Sequence, residues 1–172
     1  TTQWAVHLAE SLQTPAIVLS DQFLGQTVAA ITRPPDREFP GGRRATSAVV
    51  EPYRRYTLTA DGVSPMVVPG TPGGQYTADG LTHTEMGLPT SSASDHRAQL
   101  DKRRDKLDHF AFGDDWATLE GRGPLAILTW GSLTGAAREA IEQLQAAGHA
   151  VRLIAPRLLL PTRPVEMAAA LE

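Results

Sequence analysis

The chain has 172 residues, of which 41% are hydrophobic and 20% charged, a composition typical of globular proteins. Sixteen Lys and Arg residues against 19 Asp and Glu residues give a formal charge of -3, so charge provides no reason to expect nucleic acid or an anionic membrane as a partner. The absence of cysteine excludes disulfides, thiolate metal sites and iron–sulfur clusters ligated by this chain itself. No window has the ~18 apolar residues of a spanning helix, and we expect a cytoplasmic protein. The first residue is Thr rather than Met, so we expect the sequence to begin inside a longer polypeptide.

The first 31 residues have the pattern of a helix, a strand and a second helix. Apolar residues at helical spacing predict a helix over residues 2–12, ended by Thr14-Pro15. Four consecutive apolar residues, 16–19, predict a short strand buried on both faces. Ser20 or Asp21 is expected to cap a helix over residues 22–30, with three residues facing the core: Phe23, Val28 and Ile31. This region therefore predicts the end of a layered α/β domain.

A connector and a long Gly/Pro-rich stretch follow. Residues 32–44 are rich in Pro and charge, and residues 48–58 are compatible with a short strand. Residues 61–90 carry six of the 15 glycines and four of the 13 prolines, which rules out a long helix or a central strand. Loops of this length are functional or disordered, and composition leaves both open.

A highly charged helix is predicted over residues 91–110, with Ser94 or Asp95 as its N-cap. Its apolar stripe is narrow and consists of Leu100, Leu107 and Phe110. The helix contains KRRDK, but Lys and Arg are nearly balanced by Asp over residues 95–108. We therefore interpret this face as solvated rather than as a phosphate-binding patch.

The last 50 residues predict a βαβ unit. After a boundary at residues 121–124, a buried strand over 125–131 leads through a turn to a helix over 136–147, whose inward residues are Ala137, Ala140, Ile141 and Leu144. Gly148 ends that helix in the left-handed conformation, and residues 150–154 form the next strand, parallel to the first. A last helix starts at residues 161–164.

Candidate sites are few. The turns at residues 20–22 and 131–135 match no phosphate-binding pattern and are read as helix caps rather than ligand cradles. His83-Thr84-Glu85 has the His-x-Glu order of zinc deaminases, but those enzymes also need cysteine ligands. A metal site at His83 and Glu85 would need His96 or Asp79 as a third ligand. We prefer the interpretation that His83 makes an exposed hydrogen bond in the loop, and we expect no metal. The other four histidines are expected at the surface: His7, His96, His109 and His149.

Several ordered motifs resemble one enzyme family. The stretch GVSPMVVPGTPGGQYTADGLTHTEMGLPT, followed by LDKRRDKLDHF, resembles the alpha subunit of 2-oxoacid:ferredoxin oxidoreductases, with the 2-oxoglutarate type nearest. Upstream, IVLSDQFLG is similar to the last strand and helix of that family's thiamine pyrimidine-binding domain. Downstream, ILTWGSLTGAAREAIEQLQAAGHAVRLI is similar to the start of its transketolase C-terminal-like domain.

The resemblance implies a fold and a division of the chain. The fold class is three-layer αβα, with the end of a pyrimidine-type domain followed by a transketolase C-terminal-like βαβ domain with parallel strands. Residues 1–44 would be the end of the first domain and its connector, 45–123 a Gly/Pro-rich arm with the charged helix, and 124–172 the start of the second domain.

The resemblance also implies an activity. The complete enzyme would oxidatively decarboxylate a 2-oxoacid with coenzyme A, giving an acyl-CoA and reduced ferredoxin. Thiamine diphosphate, magnesium and the iron–sulfur cluster would be held mainly by a beta subunit, none by this fragment alone, and the assembly would be a dimer of heterodimers. The catalytic residues would lie before Thr1, so none is assigned here.

Some residues match the family motifs and two do not. The resemblance implies that five residues lie near substrate or cofactor: Ser64, Gly70, Thr71, His83 and Glu85. Met66 stands where many relatives have Arg, and Thr82 stands where the Glu of Glu-His usually falls. An alternative function is a non-catalytic module in which the Gly/Pro-rich loop and the charged helix dock a partner subunit.

Overall fold

The computed structural model describes all residues, Thr1–Glu172, and its contacts divide them into two compact units. We call Thr2–Ile17 together with Asp36–Phe110 the arm unit. The sheet unit consists of Thr1, Val18–Pro35 and Ala111–Glu172. None of the helices is long and apolar enough to cross a membrane.

The arm unit contains two helices and one small parallel sheet. Helix α1 spans Thr2–Leu12 and buries Trp4, Leu8 and Leu12, which confirms the predicted helix and its apolar face. Strands β1 (Ala45–Thr46) and β2 (Met66–Val67) pair in parallel. The strand expected within residues 48–58 is absent, because this segment hydrogen-bonds through turns and side chains rather than through a ladder.

Helix α3 spans Ala93–Asp108, and its buried face differs from the predicted one. Gln99 and Lys106 are buried, whereas Leu100 is exposed. The N-cap is Ser92 rather than Ser94 or Asp95, because the Ser92 hydroxyl accepts from the Asp95 N–H at 3.4 Å. Polar side chains of α3 face inward because the segments around the helix offer carbonyl and hydroxyl acceptors.

The sheet unit contains a three-stranded mixed sheet in the order β3-β5-β4. Strand β3 is Ala117–Gly121, β4 is Leu125–Leu128 and β5 is Val151–Pro156. Strands β4 and β5 are parallel and joined through helix α4, Leu133–Ala146, which confirms the predicted βαβ unit and the α/β class. The first of these strands is not buried as predicted: β4 is an edge strand, and Leu125 and Leu128 are exposed. Sequence reasoning missed β3, which pairs antiparallel with β5, and the short 3-10 helix Gly113–Trp116 before it.

The core of the sheet unit lies between α4 and β5. It consists of Ala137, Ile141, Val151, Leu153 and Ala155, with Ile127 packed against them. Of the four helix residues predicted to face inward, Ala140 and Leu144 remain exposed. Gly148 follows the helix with φ +88°, which confirms the left-handed stop. Helix α5 spans Pro164–Leu171 and begins with the expected proline.

The start of the sheet unit and the residues just before it differ from the prediction. Residues 16–19 form no strand, and Ile17 is 81% exposed, because no strand of the chain pairs with them. Helix α2 covers only Gln22–Gln26 rather than residues 22–30. Phe23, Val28 and Ile31 are exposed and do not reach a core. Asp21 does cap α2, since its carboxylate accepts from the Leu24 N–H at 2.8 Å.

Candidate functional site

The Gly/Pro-rich segment of the arm unit is ordered and lies closely against α3. Gly62 has φ +71°, and a Cβ at this position would lie 2.7 Å from both the Lys102 carbonyl oxygen and the Lys106 Cβ. Arg44 anchors the same segment, pairing with the Asp61 carboxylate and donating to the Val63 carbonyl at 2.6 Å. The Arg44 guanidinium holds the pKa of the Asp61 carboxyl well below its usual range. The segment therefore follows a fixed path, which resolves the open choice between order and disorder.

Ser64 is the most connected of the predicted site residues. It is only 2% exposed, and its hydroxyl donates to the Thr57 carbonyl at 2.7 Å. The same oxygen accepts a hydrogen bond from the Lys102 amine. The Ser64 carbonyl accepts from the Gln13 side-chain amide at 2.8 Å. Ser64 therefore joins three separate parts of the chain, and its hydroxyl has no hydrogen left for an outside ligand.

Lys102 carries the largest electrostatic perturbation of any basic residue in the arm unit. Its amine donates to the Tyr56 carbonyl at 3.2 Å and to the Ser64 hydroxyl. Burial, together with the positive charges of Arg55, Lys106 and Arg103, lowers the pKa of Lys102 to about 8. Burial also lowers the pKa of Lys106, which is 8% exposed and donates to the Gln13 carbonyl at 3.3 Å.

The solvated-face interpretation of the KRRDK sequence is therefore correct for only part of α3. Arg104 is exposed and pairs with Asp101 at 3.1 Å. Lys102, which is partly buried, and Lys106, which is buried, instead bond to carbonyl groups. Sequence reasoning missed these two lysines, although one signal was available: they are the only lysines among 16 Lys and Arg residues. Lysine, unlike arginine, can lose its charge when it is buried.

Glu85 lies close to this cluster and is held by hydrogen bonds. Its carboxylate accepts from the Leu58 N–H at 2.9 Å and from the Thr57 hydroxyl at 2.8 Å. These two donors lower the pKa of Glu85, so the group is a carboxylate at neutral pH. Its negative charge is also the one that counteracts the lowering of the Lys102 pKa.

His83 is buried rather than exposed, so the predicted exposed hydrogen bond is wrong. The side chain is 4% exposed and stacks on Tyr56 with ring centroids 4.7 Å apart. Its backbone forms an antiparallel bridge with Pro89. The Nε2 atom lies 3.1 Å from an Asp79 carboxylate oxygen but makes no well-directed hydrogen bond. Tyr56 also contacts Tyr76 and Arg55, so His83 belongs to an aromatic and cationic stack.

Gly70 and Thr71 lie on a turn away from these contacts. Gly70 has φ +91° and is exposed, and no atom lies within 4 Å of where its Cβ would be. The Thr71 hydroxyl donates to the Val68 carbonyl at 2.7 Å. The structure thus brings Ser64 and Glu85 together around Thr57, with Lys102 beside Ser64, and leaves Gly70 and Thr71 outside this cluster.

The two predicted strand-to-helix turns are hydrogen-bonded to each other. The side chain and the backbone N–H of Ser132 donate to the Asp21 carboxylate. Together with the Leu24 N–H, which contributes most, these donors lower the pKa of Asp21. Because the donors are used within the protein, the geometry favours a structural role for both turns over a ligand cradle. The helix-cap prediction holds only for the first turn, since Asp21 caps α2 whereas Ser132 makes no side-chain cap hydrogen bond to α4.

The residues present do not fit the metal groups that the resemblance implies. An iron–sulfur cluster needs thiolates, and the chain has no cysteine. No group of three His, Asp or Glu residues in Thr1–Glu172 is placed to hold a metal ion. His96, considered as a third ligand, instead bonds to the Thr82 hydroxyl at 3.0 Å, at the edge of an open cavity of about 440 Å³.

Comparison with known proteins identifies relatives over almost the whole chain. The chain is 29% identical to the 2-oxoacid:ferredoxin oxidoreductase subunit alpha of Saccharolobus solfataricus over 167 residues, 92% of this chain and 26% of that protein. It is 31% identical to a 2-oxoacid:ferredoxin oxidoreductase subunit alpha of Sulfurisphaera tokodaii over 152 residues, 81% of this chain and 23% of that protein. The chain is homologous to these alpha subunits. It spans about a quarter of their length.

A solved structure agrees with this homology. The 2-oxoglutarate:ferredoxin oxidoreductase from Magnetococcus marinus matches with a TM-score of 0.79 and 38% identity, covering 95% of this chain and 29% of that chain. A shorter match of 34% identity over 99 residues, 58% of this chain and 26% of that protein, links it to the 2-oxoglutarate synthase subunit KorA of Methanothermobacter thermautotrophicus. No protein-family profile matches the chain.

Proposed function

We propose that this chain is part of the alpha subunit of a 2-oxoacid:ferredoxin oxidoreductase. The reaction would be the oxidative decarboxylation of a 2-oxoacid with coenzyme A, giving an acyl-CoA and passing electrons to ferredoxin. The observation that carries the proposal is the structural match at TM-score 0.79 and 38% identity over 95% of the chain. At this identity the likeness extends beyond the fold to the sequence.

We propose 2-oxoglutarate as the substrate. The Magnetococcus marinus enzyme that matches this chain is described with 2-oxoglutarate, coenzyme A and succinyl-CoA bound. A relative is likewise named 2-oxoglutarate synthase. Met66, which lies in β2, supplies no positive charge for a second carboxylate, so the positive charge would come from elsewhere in the assembly.

The cofactors are assigned to the partner. Thiamine diphosphate, magnesium and the iron–sulfur cluster would sit mainly on the beta subunit, and none would be held by residues 1–172 alone. The contribution of this chain would be to hold the arm in place against α3 through Ser64, Lys102 and Gly62.

The predicted site residues divide into two groups under this proposal. Ser64 and Glu85 would act by positioning, because their polar atoms are already hydrogen-bonded within the chain. Gly70 and Thr71 are free of such contacts to other segments and would face substrate or cofactor. His83 would keep Tyr56 in place. A Thr71→Val variant should therefore raise KM with little loss of stability, whereas Ser64→Ala should lower stability first.

The partners of the complex are part of the same proposal. They are the beta subunit and ferredoxin, in a dimer of heterodimers in the cytoplasm. Exposed apolar side chains on the sheet unit, including Leu128 and Trp130, support a surface covered by another part of the assembly. Light scattering of the purified alpha and beta subunits, separately and mixed, would give the mass of the complex.

The test is turnover by the complete alpha and beta pair. With 2-oxoglutarate and coenzyme A, the pair should reduce ferredoxin or a viologen dye, and the acyl-CoA product should appear in equal amount. Reactions without coenzyme A, without the beta subunit, or with pyruvate as the 2-oxoacid serve as controls. A folded pair that binds thiamine diphosphate and turns over no 2-oxoacid would contradict the proposal.

A further inference from the structure

Both lysines of the chain lie on the inward side of α3, and they differ in solvent exposure. Lys102 is partly exposed, whereas Lys106 is buried. All other basic side chains apart from the histidines are arginines, which keep their charge at every accessible pH. The two basic positions of α3 that are partly or fully buried are thus occupied by lysine, which unlike arginine can become neutral.

An uncharged amine can make all the protein hydrogen bonds of Lys102. The amine has two acceptors in the protein, the Tyr56 carbonyl and the Ser64 hydroxyl. The Ser64 hydroxyl can only accept here, because its own hydrogen is donated to Thr57. A neutral amine has two N–H groups, which these acceptors satisfy, and one lone pair that is left without a partner. A charged amine would leave its third N–H without a protein acceptor.

The charges around Lys102 favour its uncharged form and also attract anions. Arg55 from the loop and Lys106 and Arg103 from α3 are positive, and Glu85 is the one negative group that acts on the amine. No carboxylate forms an ion pair with Lys102 within 4.0 Å. With a pKa of about 8, about half of the Lys102 amine is neutral at pH 8, against about 0.4% for an ordinary lysine.

We propose that Lys102 is an acylation site, at which its uncharged amine attacks the carbonyl carbon of an anionic thioester such as an acyl-CoA. The new bond joins the Lys102 nitrogen to the acyl carbon as the carbon–sulfur bond breaks. The thiolate leaves with the electron pair, and the proton lost from nitrogen passes to it through water. The product is a neutral amide, and the step needs no other reactant. Acyl-CoA is also the product class of the proposed function, but here the donor is supplied from outside.

The experiment measures acylation at both lysines of the full-length protein. The protein is incubated with acetyl-CoA between pH 7 and 10, and acetyl-Lys102 and acetyl-Lys106 are quantified by mass spectrometry after cleavage at arginine, which places the two lysines on different peptides because Arg103 and Arg104 lie between them. We expect Lys102 to react at least about tenfold faster than Lys106, with a rate that levels off above pH 8 to 9. Equal rates at the two lysines, or a Lys102 rate that still rises tenfold per pH unit up to pH 10, would overturn the proposal.

Two variants and a second donor sharpen the test. Arg55→Gln should move the midpoint of the Lys102 pH profile upward by about half a pH unit, whereas Arg104→Gln, on the exposed side of the same helix, should leave it unchanged. S-acetyl-N-acetylcysteamine, a thioester without phosphates, should react more slowly at Lys102 than acetyl-CoA; equal rates would count against attraction of anions. A protein that acylates Lys102 but turns over no 2-oxoacid would refute only the proposed function.

Discussion

Replacing Gly62 by alanine tests the contact between the arm and α3. The φ of +71° is unfavourable for a residue with a Cβ, which costs about 1 to 2 kcal/mol. The added Cβ would also lie 2.7 Å from the Lys102 carbonyl oxygen and from the Lys106 Cβ, and 3.2 Å from the Lys106 Cα. Because two of these atoms are backbone, the helix itself has to move, at a cost of about 1 to 3 kcal/mol. We expect Gly62→Ala to lower the free energy of unfolding by about 2 to 5 kcal/mol.

Two other glycines of the arm separate the strain from the clash. Gly70 has φ +91° but open space at its Cβ, so Gly70→Ala should cost only the strain, about 1 to 2 kcal/mol. Gly80 has open space and no positive φ, so Gly80→Ala should change stability by less than about 1 kcal/mol. Urea unfolding followed by circular dichroism gives the three values, and hydrogen exchange of the α3 amides locates the effect. If Gly62→Ala lowers the free energy of unfolding no more than Gly70→Ala does, the close packing against α3 contributes nothing to stability, which would refute the expected clash.

Three further predictions concern charge and packing. Folding lowers the pKa of Lys102 to about 8, so the unfolded chain binds more protons than the folded one from pH 8 to about 10.4, and the free energy of unfolding should rise with pH over this range. After allowance for solvent screening, we expect a rise of about 1 to 2 kcal/mol. Lys102→Met should remove this rise, as measured by urea unfolding at pH 8 and at about pH 10.4. The pKa of Asp61 is lowered by Arg44, so this pair stabilises above about pH 4 and its contribution is lost on acidification. Asp61→Asn should lower the free energy of unfolding by under about 1 kcal/mol at pH 7. It should also reduce the loss of stability on acidification in unfolding experiments at a series of pH values, and an unchanged loss would contradict the pairing. Ile141→Ala should cost about 2 to 4 kcal/mol and the exposed Leu144→Ala under about 1 kcal/mol by thermal unfolding, and equal losses would show that the core is misplaced.

The sequence by itself determined the elements whose signals are local. The 3.6-residue spacing of Trp4, Leu8 and Leu12 is enough to define α1 and its buried face. The order strand, helix and strand over residues 125–154 could be predicted in the same way, because an apolar run, an amphipathic period and a left-handed glycine all lie within these residues. The motif order also predicted the correct family of relatives.

Only the tertiary structure decided which residues of α3 and the arm face inward. Leu100 was the expected core residue, but it is exposed while Lys106 is buried. The reason is that the acceptors for the lysines come from distant positions: the Gln13 carbonyl is 93 residues from Lys106, and Ser64 is 38 residues from Lys102. The spacing of apolar and polar residues within a helix gives no information about such distant partners.

The same reason explains the other differences between sequence and structure. His83 is buried because it stacks on Tyr56, 27 residues earlier in the chain, which no local pattern around His83 indicates. Residues 16–19 have the composition of a buried strand, but a strand forms only where another strand supplies hydrogen bonds, and none in this chain does. Strand β3 was missed for the opposite reason: its residues have a weak pattern, and β5 supplies the pairing. Sequence determined the local elements, and the long-range hydrogen-bond partners decided their faces and their neighbours.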